Sequence, residues 1–259
     1  MKLPLILLLA TASLGFAAEA KPLSGSRPNI ILILTDDQGL GDLSCTGNPY
    51  LKTPNLDRIH AAGSRFTEFQ VSPSCSPTRA AIMSGRHEFE VGVTHTVLQR
   101  DRMAPGVVTV AEALRGAGYA TALFGKWHLG EEEAYLPQNR GFDEVLMHGT
   151  GAIGQFMFGD FKENTKTPYF DNVLLHNKTI VRTKGYCTDL FMAAAMAWIN
   201  QQHAAKKPFF AYLPLNAPHD PMIAPEKYKK RFLDLGFDQK SAARYGMIEN
   251  LDDNVGLLL

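Results

Sequence analysis

"TVAEALRGAGYATALFGKWHLG" (residues 109–130) holds one complete unit of an architecture. Thr109 with Glu112 three residues on is a capping box, so a helix starts there, and Gly116 or Gly118 ends it. "YATALFG" then reads as a short buried strand, with Lys126 and His128 directly beyond it. The same alternation continues outward in both directions. "NIILIL" (29–34) is a β-branched and leucine run of the kind found in a strand covered on both faces. "TPNLDRIHAAG" (53–63) sets Thr53 as N-cap, Pro54 at the first helical position, Leu56 and Ile59 on one face and Gly63 as the stop. "RFTEFQV" (65–71) reads as a strand, "TDLFMAAAMAWINQQHA" (188–204) as a long helix and "PFFAYLPL" (208–215) as another buried strand. Such alternation predicts an α/β fold, a mostly parallel sheet sandwiched between helices. Residues 149–184 are loop-rich and read as an insertion.

The chain has 259 residues, 26 basic and 26 acidic side chains and 45% hydrophobic residues, a globular composition with a substantial core. Zero formal charge gives no reason to expect nucleic acid or an anionic membrane as partner. Lys2, the apolar run 3–16 and "AAEA" (17–20) read as a signal peptide over residues 1–20, so the expected location is periplasmic or extracellular. That run is too short for a stable membrane span. Three cysteines in an exported chain leave at least one thiol unpaired; a Cys45–Cys187 disulfide is one arrangement. "SAARYGMIENLDDNVGLLL" (241–259) places Met247, Ile248, Leu251, Val255 and Leu258 at helical spacing, then stops with nothing left in the sequence to cover that stripe. The expectation is an incomplete catalytic domain over residues 21–259, truncated at its C-terminus.

Ligands of open α/β sheets bind beyond the carboxyl ends of the strands. Three clusters fall there: Asp36 with Asp37, Lys126 with His128, and His219 in "NAPHDP". Adjacent carboxylates repel unless a cation lies between them or they face different partners, and their hard oxygens suit calcium ahead of magnesium; a plain polar turn is the alternative. Lys126 and His128 alternate along an extended segment and so project to one side. Cys75 comes just before a helix capped by Ser76, with Pro77 in its first turn and its end at Ser84 and Gly85. A helix N-terminus with Arg79 one turn in favours an anion; a buried structural thiol is the alternative. His95 and His148 are weaker candidates for a pocket rim, and "NKT" at Asn177 has the form of a glycosylation sequon.

"CSPTRAAIMSGR" (75–86) resembles the sulfatase signature, and "GYATALFGKWHLG" (118–130) resembles its second signature. "RPNIILILTDDQGLGD" (27–42) and "NAPHDP" (216–221) resemble two further blocks of the family, in the expected order. The resemblance implies an alkaline phosphatase/sulfatase-like fold and hydrolysis of sulfate monoesters, on sulfated carbohydrates or aryl sulfates. It implies that a formylglycine-generating enzyme oxidises Cys75 to formylglycine, whose hydrate attacks sulfur and later expels sulfate. By the same resemblance Asp36, Asp37 and residue 75 ligate calcium, Arg79 holds the hydrate and Lys126 binds sulfate oxygens. His128 takes the proton for elimination and His219 protonates the leaving oxygen. The family's remaining metal ligands and second lysine fall beyond Leu259. A phosphonate or phosphate ester hydrolase of the same superfamily, or an inactive fragment, are the alternatives.

Overall fold

The computed structural model describes residues 24–149, 151–154 and 161–259; the leader read over residues 1–20 lies outside them, as does part of the 149–184 segment. Six strands, β1 (Ile30–Leu34), β2 (Ala120–Lys126), β3 (Glu144–His148), β4 (Val173–His176), β5 (Thr179–Arg182) and β6 (Phe209–Pro214), form one sheet in the order β1-β6-β2-β3-β4-β5. The first four in that order run parallel, with Ile31 opposite Ala211 and Lys126 opposite His148. β4 and β5 are antiparallel additions at the far edge.

Side chains alternate across a strand, so each apolar run feeds two cores. Ala122, Phe124 and Leu213 pack on one face against Phe191, Met192 and Ala195 of α4 (Cys187–Ala204) and Met247, Leu251 and Val255 of α6 (Gln239–Leu258). Leu123, Phe210 and Tyr212 pack on the other against Ala80 and Met83 of α2 (Cys75–Ser84) and Ala111 of α3 (Val110–Gly116). The sheet is therefore sandwiched between helices, and every strand tip carrying a candidate residue opens at one rim.

Four local expectations change. β1, read as covered on both faces, is the edge strand of the sheet, and its Ile31 is 40% exposed. "RFTEFQV" is irregular, with Phe66, Phe69 and Val71 exposed, because no neighbouring strand pairs with it among the described residues. β3, β4 and β5 were not legible as strands, and the β4–β5 hairpin turns at Asn177, the sequon position, whose φ is 54°. The apolar stripe of α6 is covered: Met247, Ile248, Leu251 and Val255 are buried, while Leu257 and Leu259 stay exposed.

α6 also completes α1 (Pro54–Ala62). Thr53 holds the N-cap position, yet its hydroxyl accepts from Ser44 N–H (3.0 Å) and donates to Asp57 (3.0 Å) instead of capping. The orphan N–H groups of Asn55 and Leu56 donate to the buried carboxylate of Asp252, at 3.2 and 2.8 Å. Cys45, Cys75 and Cys187 are all free thiols, so the Cys45–Cys187 pairing is not formed.

Candidate active site

At the end of β1, backbone strain and pairing turn two adjacent carboxylates apart. Asp36 N–H donates to Ala217 O (3.0 Å), tying this strand tip to the loop after β6. The Asp36 carboxylate is 4% exposed and meets Lys126 Nζ at 2.5 Å and Arg79 NH2 at 3.6 Å. Asp37, at φ 60°, has a side chain 60% exposed, with one oxygen 3.6 Å from His219 Nε2. Its carbonyl accepts from Arg244 of α6 at 2.8 Å. Repulsion between the two acids is relieved by different partners.

β2 reaches the rim only because residue 125 is glycine: at its φ of 140° a Cβ would lie 2.1 Å from Pro214 O. Lys126 follows, fully buried. The N–H groups of Trp127 and His128 donate to His148 O (3.2 Å) and Gly149 O (3.1 Å), extending the ladder past the strand. His128 then turns left-handed (φ 59°), so Lys126 and His128 converge through a bend and not through simple strand alternation. Thr96 O lies 2.8 Å from His128 Nε2 and can only accept, which assigns the proton to Nε2 and leaves the Nδ1 lone pair facing Cys75 Sγ at 3.3 Å.

Cys75 is the first residue of α2, and the N-cap position belongs to Ser74 and not Ser76. Ser76 instead donates its hydroxyl to His128 O (2.6 Å), locking helix to strand end. Arg79, buried one turn in, donates NH1 to Lys126 O (2.8 Å), while its Nε and NH2 have no hydrogen-bond partner. Asp36 meets NH2 only at ion-pair distance, 3.6 Å, and buried guanidinium donors without a hydrogen bond are costly unless an anion meets them. Asp36, Asp37, Ser72, Cys75 and Arg79 line a cleft of about 430 Å³.

His219 sits in the loop after β6, where its N–H donates to Asn216 O (2.8 Å) and its Nδ1–H to Asp220 O (2.7 Å), leaving Nε2 toward Asp37. His148 is buried on the far side of Lys126, with Nε2 against the Asn216 amide and Nδ1 unpartnered. His95 is exposed.

Burial alone would raise the Asp36 carboxyl, but the charges of Arg79, Lys126 and His219 outweigh it and hold it below the usual range. Burial pulls the Lys126 ammonium down, with Asp36 opposing and Arg79 adding to the effect. Burial, then Lys126 and Arg79, depress His128 well below its ordinary value, so it is a neutral imidazole at pH 7. His148, buried near the same cations, falls to about 3.

All seven residues singled out from sequence, Asp36, Asp37, Cys75, Arg79, Lys126, His128 and His219, meet at this rim. Sequence reasoning missed Thr96, Asn216 and Arg244 and read Ser76 only as a cap; their contacts join elements far apart in the chain and leave no local signal. Adjacent carboxylates are the right donor type for a hard cation that takes about six to eight oxygens. In number they fall short: no three acidic, histidine or cysteine side chains lie close enough to hold a metal among the described residues. Asn216 Oδ1, buried without a partner, is a further oxygen near this end of the sheet.

N-acetylgalactosamine-6-sulfatase of Sus scrofa is 32% identical over 98% of this chain and 49% of its own length. Arylsulfatase A of Homo sapiens is 47% identical over 56% of this chain and 29% of its own. Among solved structures, Ps i-CgsB in complex with k-i-k-neocarrahexaose superposes with a TM-score of 0.77 at 29% identity, over 90% of this chain and 54% of that one. The chain thus spans about half the length of the curated relatives it matches. The Sulfatase family model matches residues 28–259, the stretch that contains every residue of the rim, and the chain belongs to the sulfatase family.

Proposed function

We propose that the protein carrying these residues hydrolyses sulfate monoesters, of sulfated carbohydrates or aryl alcohols, with a formylglycine made from Cys75 by a formylglycine-generating enzyme. The observation that carries this reading is the Cys75–His128 pair: a side chain at a helix start, 3.3 Å from the lone pair of a neutral imidazole, beside a buried arginine with unpaired donors. A hydrated formylglycine supplies an oxygen nucleophile and a way to release sulfate without a second displacement. His128 Nδ1 is the base that removes the hydroxyl proton at residue 75, and Thr96 O holds its ring. Arg79 Nε and NH2 receive negative oxygen, and Lys126 adds a fixed positive charge behind it. His219 Nε2, at the cleft edge, protonates the leaving alcohol oxygen. Asp36, Asp37 and the oxygen of residue 75 would be among the ligands of a calcium ion, which would lend positive charge to the sulfuryl oxygens. The name of the N-acetylgalactosamine relative supports a sulfated sugar as substrate. Export through the 1–20 leader belongs to the same reading; no helix among the described residues is long and apolar enough to cross a membrane.

Turnover of 4-nitrophenyl sulfate and of a 4-nitrophenyl phosphonate by the full-length gene product tests it. The reading expects the sulfate to be cleaved faster by at least an order of magnitude. Preference for the phosphonate, or no cleavage of any sulfate, overturns it.

A further inference from the structure

The loop that presents His219 has little regular structure of its own. Between Asn216 and Ile223 no strand or helix forms: Ala217 O receives Asp36 N–H and Asn216 O receives His219 N–H, while His219 O and Ile223 O take donors from outside the loop. Two buried tyrosines from the segment before α4 supply the donors. Tyr169 O–H lies 2.7 Å from His219 O and 3.3 Å from Asn216 O, so it spans the turn at whose corner His219 stands. Tyr186 O–H donates to Ile223 O at 2.8 Å, at the other end of the loop. The rings stack on each other, centroids 5.9 Å apart and planes 24° from parallel. They are held in register by the Phe170–Tyr186 bridge and by Cys187 N–H donating to Tyr169 O (2.8 Å).

From this we propose that Tyr169 is a positioning residue for His219, fixing the carbonyl of the residue whose imidazole faces Asp37, with Tyr186 anchoring the loop's far end. The proposal rests on the acid role of His219 in the proposed function. His219's side-chain contacts, to Asp220 O and Asp37, are local or solvent-exposed, and its N–H donates within the turn, to Asn216 O; the Tyr169 hydroxyl is what ties that turn to the core. Plain core packing is the competing explanation, since both rings belong to the apolar core against α4 and α6. The two differ in what the hydroxyl does. If Tyr169 only fills space, phenylalanine replaces it without consequence for chemistry. If it positions a general acid, its loss is felt in proportion to how much the leaving group needs a proton.

The test is Tyr169→Phe in the full-length gene product, assayed on aryl sulfates of graded phenol acidity and on a sugar sulfate. We expect a fall of kcat/KM within about twofold for the most acidic phenol and about tenfold or more for the sugar, giving a steeper leaving-group dependence. In a His219→Ala background, Tyr169→Phe should change nothing further. An equal loss on every substrate, or an undiminished effect without His219, overturns the proposal. A wild type that cleaves none of these sulfates counts against the proposed function instead. The clamp is then read from hydrogen exchange over residues 216–223, which should speed up in Tyr169→Phe while unfolding midpoints stay near wild type. Unchanged exchange overturns it.

Discussion

Asp36 is the residue on which the rim's electrostatics turn. Lys126 and Arg79 are both buried, and among the described residues the carboxylate found against them is that of Asp36. Removing one member of a buried charge cluster costs more than the cluster's net worth, because the others stay in low dielectric unpaired. Asp36→Asn should therefore lower unfolding free energy by about 3 kcal/mol or more, measured by chemical denaturation. Asp37→Asn, at an exposed carboxylate, should cost under about 1 kcal/mol. Equal effects at the two positions would contradict this division of labour. Sequence alone could say that adjacent acids need different partners or a cation. It could not say that Asp36 is the buried one, because Lys126 lies 90 residues away in the chain.

At the scale of elements, legibility followed how much of an element's stability is local. α3 was readable because its capping box is: Thr109 Oγ1 receives Glu112 N–H and the Glu112 carboxylate receives Thr109 N–H, at 3.0 and 2.7 Å. β2 and β6 were readable because every residue in them is buried, which gives an unbroken apolar run. β4 and β5 are four residues each and depend on pairing with β3 and with each other, which composition does not encode. "RFTEFQV" shows the converse, strand-forming residues left irregular for want of a neighbour. The start of α1 is the clearest tertiary override: Thr53 fits the capping rule, while Asp252 does the capping. Asp252→Ala should thus destabilise the fold by about 2 kcal/mol, more than a surface aspartate would, as read from thermal or urea unfolding. A change below about 0.5 kcal/mol would return the cap to Thr53.

The whole molecule brings three strand ends and one helix start to a single rim, and burying cations there has a cost that appears on acidification. His148 is held neutral, down to about 3, whereas the unfolded chain's imidazole takes a proton near the ordinary value. Below about pH 6.5 the unfolded state binds the extra proton, so stability falls with pH at up to about 1.4 kcal/mol per pH unit, from that point down to the folded value. His148 alone should lower unfolding free energy by about 2 kcal/mol between pH 7 and pH 5, the depressed His128 adds to the fall, and His148→Gln should shrink the difference. A profile unchanged by that substitution would contradict the assignment. The parallel core and the convergence of Asp36, Lys126 and His219 followed from strand ends, and the place of Cys75 from a helix start; the bends and clamps that aim them came from contacts distant in sequence. The most direct measurement of the central claim is the mass of the tryptic peptide spanning residues 66–79, taken from full-length protein made in its native host. The account predicts an aldehyde at position 75, with sulfur lost and oxygen gained. An intact thiol there, in protein that cleaves sulfate esters, would contradict it.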